Sequence, residues 1–307
     1  MLTDINRKNM IENLKIKNYF IKDLISWYQL ARYDKPIGFL LLLWPCLWSY
    51  TYGSIIFSYE IEIKNIIYFV LGSILMRGAG CTWNDLLDKK YDAKVKRTKD
   101  RPLAANTVSI NSAIIFLFLQ LFFSLLILLQ FNYLTIFIGF LSIVPIIIYP
   151  FMKRVTWWPQ LFLGLTFNWG AILGWTSITN EISYHCIILY IGCIFWTIGY
   201  DTIYAHQDKV DDNFLGLKST AIFFGDKTKY ALSIFYIIFV IVFIFIINMI
   251  GMENLLQNFF FLFIICLHLL SQIFFLKIND PDNCLKIFKS NNSLGLIIFL
   301  LFLLNIY

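Results

Sequence analysis

Charged residues are scarce in this sequence. Only 14% of its 307 residues are charged, whereas 59% are hydrophobic. Soluble globular domains have about 25% charged residues, because their surfaces face water. The scarcity of charge therefore excludes an ordinary water-soluble domain and predicts a chain that lies largely within a lipid bilayer.

Histidine and cysteine are also few, and their positions exclude several kinds of site. No two of the six cysteines form a CxxC pair, which argues against a zinc ribbon or a redox motif. The three histidines, His185, His206 and His268, are too dispersed for a metal-binding triad. No motif typical of nucleic-acid binding is present, so we interpret the net charge of +6 as a feature of membrane topology.

Long hydrophobic stretches are abundant. A helix needs about 20 mostly apolar residues to cross the hydrocarbon layer, and the sequence contains nine stretches of suitable length. They lack the alternation of barrel strands, so we expect an all-α polytopic fold with about nine transmembrane helices around a central cavity. The predicted stretches are 37–58, 65–87, 110–129, 132–151, 158–178, 183–205, 230–250, 255–276 and 289–306.

Lysine and arginine are concentrated before the first stretch and after the even-numbered ones. Basic loops stay on the cytoplasmic side, so these segments are predicted to face the cytoplasm. The amino-terminal segment has no signal-peptide layout, and its acidic residues argue against a mitochondrial transit peptide. We therefore expect a multi-pass protein of a bacterial inner membrane, one domain over residues 1–307 with a cytoplasmic segment at 1–30. The basic residues of the amino-terminal segment are Arg7, Lys8, Lys15, Lys17, Lys22, Arg32 and Lys35, and the acidic residues that argue against a transit peptide are Asp4, Glu12 and Asp23.

A first acidic motif, NDLLDKKYD, runs from Asn84 to Asp92 after the second stretch. Asn84, Asp88 and Asp92 are four residues apart, so on a helix their side chains lie along one face. Three oxygen donors on one face suit a hard divalent cation, and Mg²⁺ commonly completes its shell with water and phosphate oxygens. The motif therefore predicts half of a metal site that a phosphorylated substrate completes.

A second acidic motif, DTIYAHQDKVDD, runs from Asp201 to Asp212 after the sixth stretch. On a continuous helix, Asp201, Asp208 and Asp212 lie within about 60° of one another. Either Asp211 or Asp212 is a candidate for the outer ligand, and the spacing favours Asp212. Four crossings separate the two motifs, so we expect both at one membrane face, where paired carboxylate sets require cations between them.

Basic residues suited to a diphosphate accompany the two motifs. Either motif alone is more typical of a solvated loop. Two regularly spaced carboxylate sets at one face, together with these bases, instead favour a phosphorylated ligand bound through metal ions. The bases are Arg32 and Lys35 before the first stretch, Lys96, Arg97, Lys99 and Arg101 after the second, and Lys153 and Arg154 after the fourth.

These segments resemble the UbiA superfamily of intramembrane aromatic prenyltransferases, and within it the 4-hydroxybenzoate branch that serves ubiquinone biosynthesis. The resemblance covers residues 30 to 225, and the remainder contributes mainly hydrophobic helices. The acidic motifs carry the likeness to the superfamily, and the two last segments carry the likeness to the branch. The matching segments are RYDKPIG at 32–38, NDxxDxxxD at 84–92, residues 97–103, YPFMKR at 149–154 and GLKSTA at 216–221.

The resemblance implies a Mg²⁺-dependent transferase. Its substrates would be a polyprenyl diphosphate and 4-hydroxybenzoate, which is prenylated at the ring carbon meta to the carboxylate. The resemblance also implies roles for individual residues. Asn84, Asp88 and Asp92 would bind one metal ion, and Asp208 and Asp212 the other; Arg32, Arg97, Arg101 and Lys153 would contact the diphosphate; Asp201 and Arg154 are candidates for the acceptor site; and Asp88, Asp208, Lys153 and Arg97 are the expected catalytic residues.

Two alternatives remain open at this stage. A related enzyme of the superfamily would prenylate another acceptor, such as a naphthoate, homogentisate, a haem or a chlorophyllide. A polytopic cation or lipid-phosphate transporter would instead place its acidic residues near the middle of the bilayer, whereas these acids lie at the ends of predicted helices. The sequence predicts neither the prenyl chain length nor the oligomeric state.

Overall fold

Nine helical spans long and apolar enough to cross a membrane occur in the computed structural model, which describes residues 23–251 and 254–306. These residues form no β-strand. The predicted all-α polytopic fold is confirmed. Residues 1–22, on which much of the prediction of location rested, lie outside the described residues. The central cavity and the single domain stay predictions.

The spans match the predicted stretches in number and order, but the seventh begins at Thr220, ten residues before the predicted start. The second continues as far as Asp92 and so includes the first acidic motif. The ninth begins at Pro281, because the Asp280 side chain accepts hydrogen bonds from the backbone N–H groups of Asp282 and Asn283 and caps the helix there. The spans are Ile37–Phe57, Ile63–Asp92, Ile110–Leu128, Tyr133–Val155, Pro159–Thr179, Tyr184–Ala205, Thr220–Ile250, Leu255–Phe275 and Pro281–Leu303.

Three spans are composed of shorter helices. The fourth contains two prolines, Pro145 and Pro150, and Pro150 lies in a 3₁₀ turn. The fifth is interrupted at Asn168, and the seventh at Gly225, whose φ of +53° suits glycine. The helices are α1 (residues 23–30), α2 (Ile37–Phe57), α3 (Ile63–Asp92), α4 (Ile110–Leu128), α5 (Tyr133–Leu141), α6 (Ile143–Ile148), α7 (Met152–Val155), α8 (Pro159–Phe167), α9 (Trp169–Thr179), α10 (Tyr184–Ala205), α11 (Lys209–Phe214), α12 (Thr220–Phe224), α13 (Thr228–Ile250), α14 (Leu255–Phe275) and α15 (Pro281–Leu303).

The chain divides into two compact units. The first contains the residues up to Pro36 together with Ile74–Phe123. Trp27 of α1 stacks on Phe116 of α4 with 5.0 Å between ring centroids. A small hydrophobic core fixes the loop that follows α3 against α1 and α4; it consists of Leu30, Leu103, Val108 and Ala113.

The second unit contains Ile37–Ser73 and Ser124–Tyr307. Helices α2 and α9 are in close contact, since a Cβ atom on Gly174 would lie 2.1 Å from the Cys46 carbonyl oxygen. A buried polar network joins four further helices. In it Asn291 Oδ1 accepts hydrogen bonds from Trp196 Nε1 at 2.8 Å and from Gln272 Nε2 at 3.1 Å, and Tyr236 donates to Gln272 Oε1 at 2.7 Å. This network holds α10, which leads into the second acidic motif, against α13, α14 and α15.

Candidate active site

The last turns of α3 carry the first acidic motif. The helix is continuous from Ile63 to Asp92, so Asn84, Asp88 and Asp92 lie one turn apart along it. The predicted helical spacing is confirmed. Asp88 is completely buried and Asp92 is 7% exposed, whereas Asn84 is half-buried. Carboxylates buried to this degree need a cation nearby.

Asp85 lies beside this face and binds two arginines. Its side chain is 1% exposed. It accepts hydrogen bonds from Arg32 Nη2 at 2.7 and 2.8 Å and from Arg101 Nη1 at 3.3 Å. Arg101 Nη1 also donates to both carboxylate oxygens of Asp92, at 2.9 and 2.8 Å. Four charged groups therefore form one row of alternating sign: Arg32, Asp85, Arg101 and Asp92.

Sequence reasoning assigned no role to Asp85. Asp85 lies within the motif but outside its four-residue steps, on which the predicted metal ligands were based. Asp85 and Asp92 are seven residues apart, which on a helix returns a side chain to within about 20° of the same direction. That spacing is a signal that two carboxylates share a face and require a common counter-charge.

Arg32 adopts an unusual backbone conformation at the end of α1. Its φ is +59°, in the left-handed region that costs a non-glycine residue about 1–2 kcal/mol. Arg32 Nη1 donates to the carbonyl oxygens of Gln29 at 3.1 Å and Leu30 at 3.2 Å. Burial alone would lower the pKa of Arg32, but the neighbouring Asp85 carboxylate raises it above its ordinary value. Arg32 was predicted to contact the diphosphate, but both of its terminal nitrogens bind groups within the protein.

The loop after α3 presents further basic residues. It turns sharply at Asp92, whose carbonyl oxygen accepts a hydrogen bond from Thr98 Oγ1 at 2.9 Å. Lys96, Arg97 and Lys99 are exposed, whereas Arg101 lies closer to the helix and is 21% exposed. Of the predicted bases of this loop, Arg101 is therefore the one that the structure shows in contact with the first acidic motif.

The second acidic motif is divided between two helices. Helix α10 ends at Ala205, where the sixth apolar stretch was predicted to end, and Asp208 precedes α11, so Asp201, Asp208 and Asp212 do not lie on one continuous helix. His206 is 5% exposed, and its Nε2 lies 3.0 Å from Thr228 Oγ1 at the start of α13. We attribute the end of α10 to this contact between residues distant in sequence. Asp201 stays on α10, and both Asp211 and Asp212 fall in the first turn of α11.

The two segments that suggested the 4-hydroxybenzoate branch are in contact. Lys153 and Arg154 lie on α7 and are half-buried. The Lys218 backbone N–H donates to the Lys153 carbonyl oxygen at 2.8 Å, and Lys218 Nζ donates to the Val155 carbonyl oxygen at 3.0 Å. Just beyond, the Thr220 side chain lies 2.7 Å from Thr202 Oγ1 of α10. The second unit thus connects the predicted bases of α7 with the helix that carries Asp201.

A pH dependence follows from the position of His206. Burial, with a smaller contribution from Lys209, lowers its pKa to about 4. An unfolded histidine has a pKa of about 6.5, so the unfolded state binds more protons as the pH falls from about 6.5 towards 4. This group therefore contributes stability above pH 6.5 that is lost in that window, by up to about 3 kcal/mol.

We expect the apparent melting temperature of detergent-purified protein to fall between pH 7 and pH 4.5, and to fall less in His206→Gln. Differential scanning fluorimetry of both proteins across this range measures the difference. Equal falls in the two proteins would contradict the assignment of a neutral buried imidazole.

Curated relatives share the sequence over most of its length. The chain is 45% identical over 275 residues, 89% of this chain and 68% of the relative, to a protein of Drosophila pseudoobscura pseudoobscura named 4-hydroxybenzoate polyprenyltransferase, mitochondrial. It is 44% identical over 282 residues, 91% of this chain and 75% of the relative, to the Homo sapiens protein of the same name.

These names correct the predicted location. A bacterial inner membrane with a site facing the cytoplasm was expected, but the relatives are mitochondrial enzymes, which points to a mitochondrial membrane. The prediction was wrong because hydropathy and the distribution of basic residues orient a chain within a bilayer without identifying the bilayer.

Solved structures show the same fold at low sequence identity. A UbiA homolog from Aeropyrum pernix K1 superposes with a TM-score of 0.73 and 19% identity, over 87% of this chain and 98% of that one. A UbiA homolog from Archaeoglobus fulgidus bound to GPP and Mg²⁺ gives a TM-score of 0.65 and 18% identity, over 92% and 99% of the two chains. The sequence profile of the UbiA prenyltransferase family matches residues 42–304. This chain belongs to the UbiA prenyltransferase family.

Proposed function

We propose that this chain transfers a polyprenyl group from a polyprenyl diphosphate to 4-hydroxybenzoate, forming 3-polyprenyl-4-hydroxybenzoate for ubiquinone biosynthesis. The main support for this function is sequence identity of 45% and 44%, over most of the chain, to two relatives named for that reaction. The arginines and carboxylates at the end of α3, and the bases on α7, supply the charges that a diphosphate substrate requires.

Magnesium is the metal that the donor atoms favour. Among the described residues, no three carboxylate, imidazole or thiol side chains are grouped to hold a metal ion by themselves. Mg²⁺ does not need such a group, because it is usually bound by one or two carboxylates together with water and substrate phosphates. The carboxylates and the amide of the first motif are hard oxygen donors and fit this chemistry. A homolog of the same fold was solved with GPP and Mg²⁺.

The proposed metal ligands lie in both motifs. Their convergence on one diphosphate is part of the proposal, and it is supported by the even number of candidate spans between the ends of α3 and α10. Bound Mg²⁺ would supply positive charge to the departing diphosphate. The ligands would be Asn84, Asp88 and Asp92 on α3, and Asp208 with Asp212 or Asp211 around the start of α11.

The basic side chains would stabilise the leaving group. In the reaction the allylic C–O bond breaks, and its electron pair leaves with the diphosphate. Arg97, Arg101 and Lys153 would bind the diphosphate oxygens through charge-assisted hydrogen bonds, which are stronger than neutral ones. In this proposal Arg32 acts with Asp85 at the edge of the site, because its terminal nitrogens already bind protein groups.

The acceptor would bind beside the allylic carbon. We assign Arg154 to the benzoate carboxylate, since a guanidinium pairs with a carboxylate through two parallel hydrogen bonds, and Asp201 to the region of the phenol. The ring carbon ortho to the hydroxyl forms the new C–C bond and then loses its proton. Aromatic side chains, 19% of the sequence, would stabilise the allylic cation through their π-faces. Exclusion of water prevents its capture as a prenyl alcohol.

The test is a direct assay. Protein in detergent or native membranes is incubated with Mg²⁺, a polyprenyl diphosphate and 4-hydroxybenzoate, and the prenylated acid is detected by mass spectrometry. We expect product with Mg²⁺ and a loss of at least about 100-fold after metal removal with EDTA, of the size found when charge stabilisation is removed from an active site. Excess Mg²⁺ should restore the activity.

Parallel reactions decide the acceptor and the class of protein. A naphthoate, homogentisate, a haem and a chlorophyllide replace 4-hydroxybenzoate in separate incubations. Product only with one of these would overturn the choice of acceptor but keep the reaction class. No covalent product with any acceptor, in protein that retains a cooperative melting transition, would contradict the proposed enzyme.

A further inference from the structure

Arg101 pairs with a carboxylate that is also a proposed metal ligand. Its Nη1 lies 2.9 and 2.8 Å from the two carboxylate oxygens of Asp92. Asp92 is a proposed metal ligand and is only 7% exposed. Because Arg101 Nη1 lies within hydrogen-bonding distance of both oxygens, Arg101 and a divalent cation would compete for this carboxylate.

Asp85 offers Arg101 a second partner. Arg101 Nη1 lies 3.3 Å from Asp85 Oδ1, a longer contact than those with Asp92. Asp85 does not depend on Arg101 for its counter-charge, since Arg32 Nη2 binds both of its oxygens at 2.7 and 2.8 Å. Release of Asp92 by Arg101 therefore leaves no buried carboxylate without a cation, provided that a metal ion takes the vacated place.

The backbone of Arg101 is fixed while its side chain retains some access to solvent. The next residues, Pro102 and Leu103, are buried, and Leu103 packs in the small core of the first unit. The Arg101 side chain itself is 21% exposed. The main chain at this position is thus anchored, while the guanidinium keeps contact with solvent.

We propose that Arg101 exchanges partners at Asp92. It neutralises this carboxylate while no divalent cation is bound there, and it moves to the diphosphate when a divalent cation takes its place beside Asp92. Asp85 is the positioning residue of this exchange, because it holds Arg32 and keeps Arg101 beside the end of α3. The inference rests on the proposed function for Asp92 as a metal ligand and for the identity of the anion. It predicts that metal and diphosphate assist each other's binding, since each favours the same position of Arg101.

The test measures the two ligands separately. Binding of Mn²⁺ alone is followed by electron paramagnetic resonance in the absence of any diphosphate, and binding of inorganic pyrophosphate alone is followed by calorimetry in the presence of EDTA. We expect Arg101→Gln to bind Mn²⁺ at least about 5-fold more tightly than the natural chain, because the competing cation is gone. The same variant should bind pyrophosphate at least about 5-fold more weakly.

Asp85→Asn should have the opposite effect on the metal. With its second partner neutral, Arg101 stays on Asp92, and Mn²⁺ should bind at least about 5-fold more weakly. Lys90→Gln is the matched control for charge, since Lys90 is exposed in the last turn of α3. Loss of this exposed charge should change Mn²⁺ affinity by no more than about 2-fold.

The directions of these affinity changes distinguish an exchange of partners from misfolding of the variant. A misfolded Arg101→Gln protein would bind both ligands more weakly. The proposal would be overturned if Arg101→Gln bound Mn²⁺ no more tightly than the natural chain or than Lys90→Gln. It would also be overturned if neither the natural chain nor Arg101→Gln bound Mn²⁺. None of these measurements uses 4-hydroxybenzoate or a prenyl group, so their outcome does not depend on which acceptor or prenyl donor the enzyme uses.

Discussion

Asp88→Asn is expected to lower the turnover number for 4-hydroxybenzoate prenylation by at least about 100-fold. Asp88 is completely buried, and it is the central member of the Asn84, Asp88 and Asp92 face. The substitution retains the size of the side chain and one oxygen, and it removes the negative charge that the proposed metal site requires. Initial rates at saturating substrates and increasing Mg²⁺ measure the loss.

Asp100→Asn provides the control for this experiment. It makes the same chemical change at an exposed position in the loop that follows α3, where substitutions usually have small effects. We expect its turnover to stay within about 2-fold of the natural chain. Both variants should retain a monodisperse size-exclusion profile in detergent. Turnover of Asp88→Asn close to that of Asp100→Asn would remove Asp88 from the proposed metal site.

The membrane fold could be predicted from the sequence because its signals are local. Each span corresponds to one continuous apolar stretch, such as Ile110–Leu128, and can be identified without information about distant residues. The four-residue spacing of Asn84, Asp88 and Asp92 is likewise a property of one helix, and α3 is continuous through it. Short-range regularity was therefore sufficient for the architecture and for the helical placement of the first acidic motif.

Contacts between distant residues were the part that the sequence did not predict. Helix α10 ends at Ala205, where the apolar stretch was predicted to end, but the contact between His206 and Thr228, which are 22 residues apart, was not predicted. The partners of Arg101 were missed for a similar reason. A basic loop predicts affinity for an anion, but the choice between a diphosphate and Asp92 depends on the turn that places Arg101 beside α3.

The two arginines of the row illustrate how similar residues acquire different tasks. Arg32 binds backbone carbonyl groups and Asp85, and its backbone is held in a left-handed conformation. Such strain persists where the surroundings determine the conformation strongly. Within the described part of the chain, the Arg101 side chain hydrogen-bonds to the carboxylates of Asp85 and Asp92, and it is more exposed than that of Arg32. The first arginine is therefore suited to hold the site together, and the second to exchange partners during binding.

The break after α10 makes the adjacent pair Asp211 and Asp212 the most informative place to test the second motif. Both carboxylates lie in the first turn of α11 and both are half-buried. Asp88 and Asp92 recur 120 residues later as Asp208 and Asp212, and the Asp212 backbone N–H donates to the Asp208 carbonyl oxygen at 2.8 Å. The four-residue step of the first motif is thus repeated by Asp212 and not by Asp211.

Asp212→Asn is therefore expected to lower turnover by at least about 100-fold, whereas Asp211→Asn should stay within about 3-fold of the natural chain. Each variant is the control for the other, because the chemical change, the helix and the degree of burial are the same. Turnover numbers and the Mg²⁺ concentration for half-maximal rate are measured for both. A loss confined to Asp211→Asn would transfer the outer ligand to Asp211, and a loss in neither would exclude the start of α11 from the metal site.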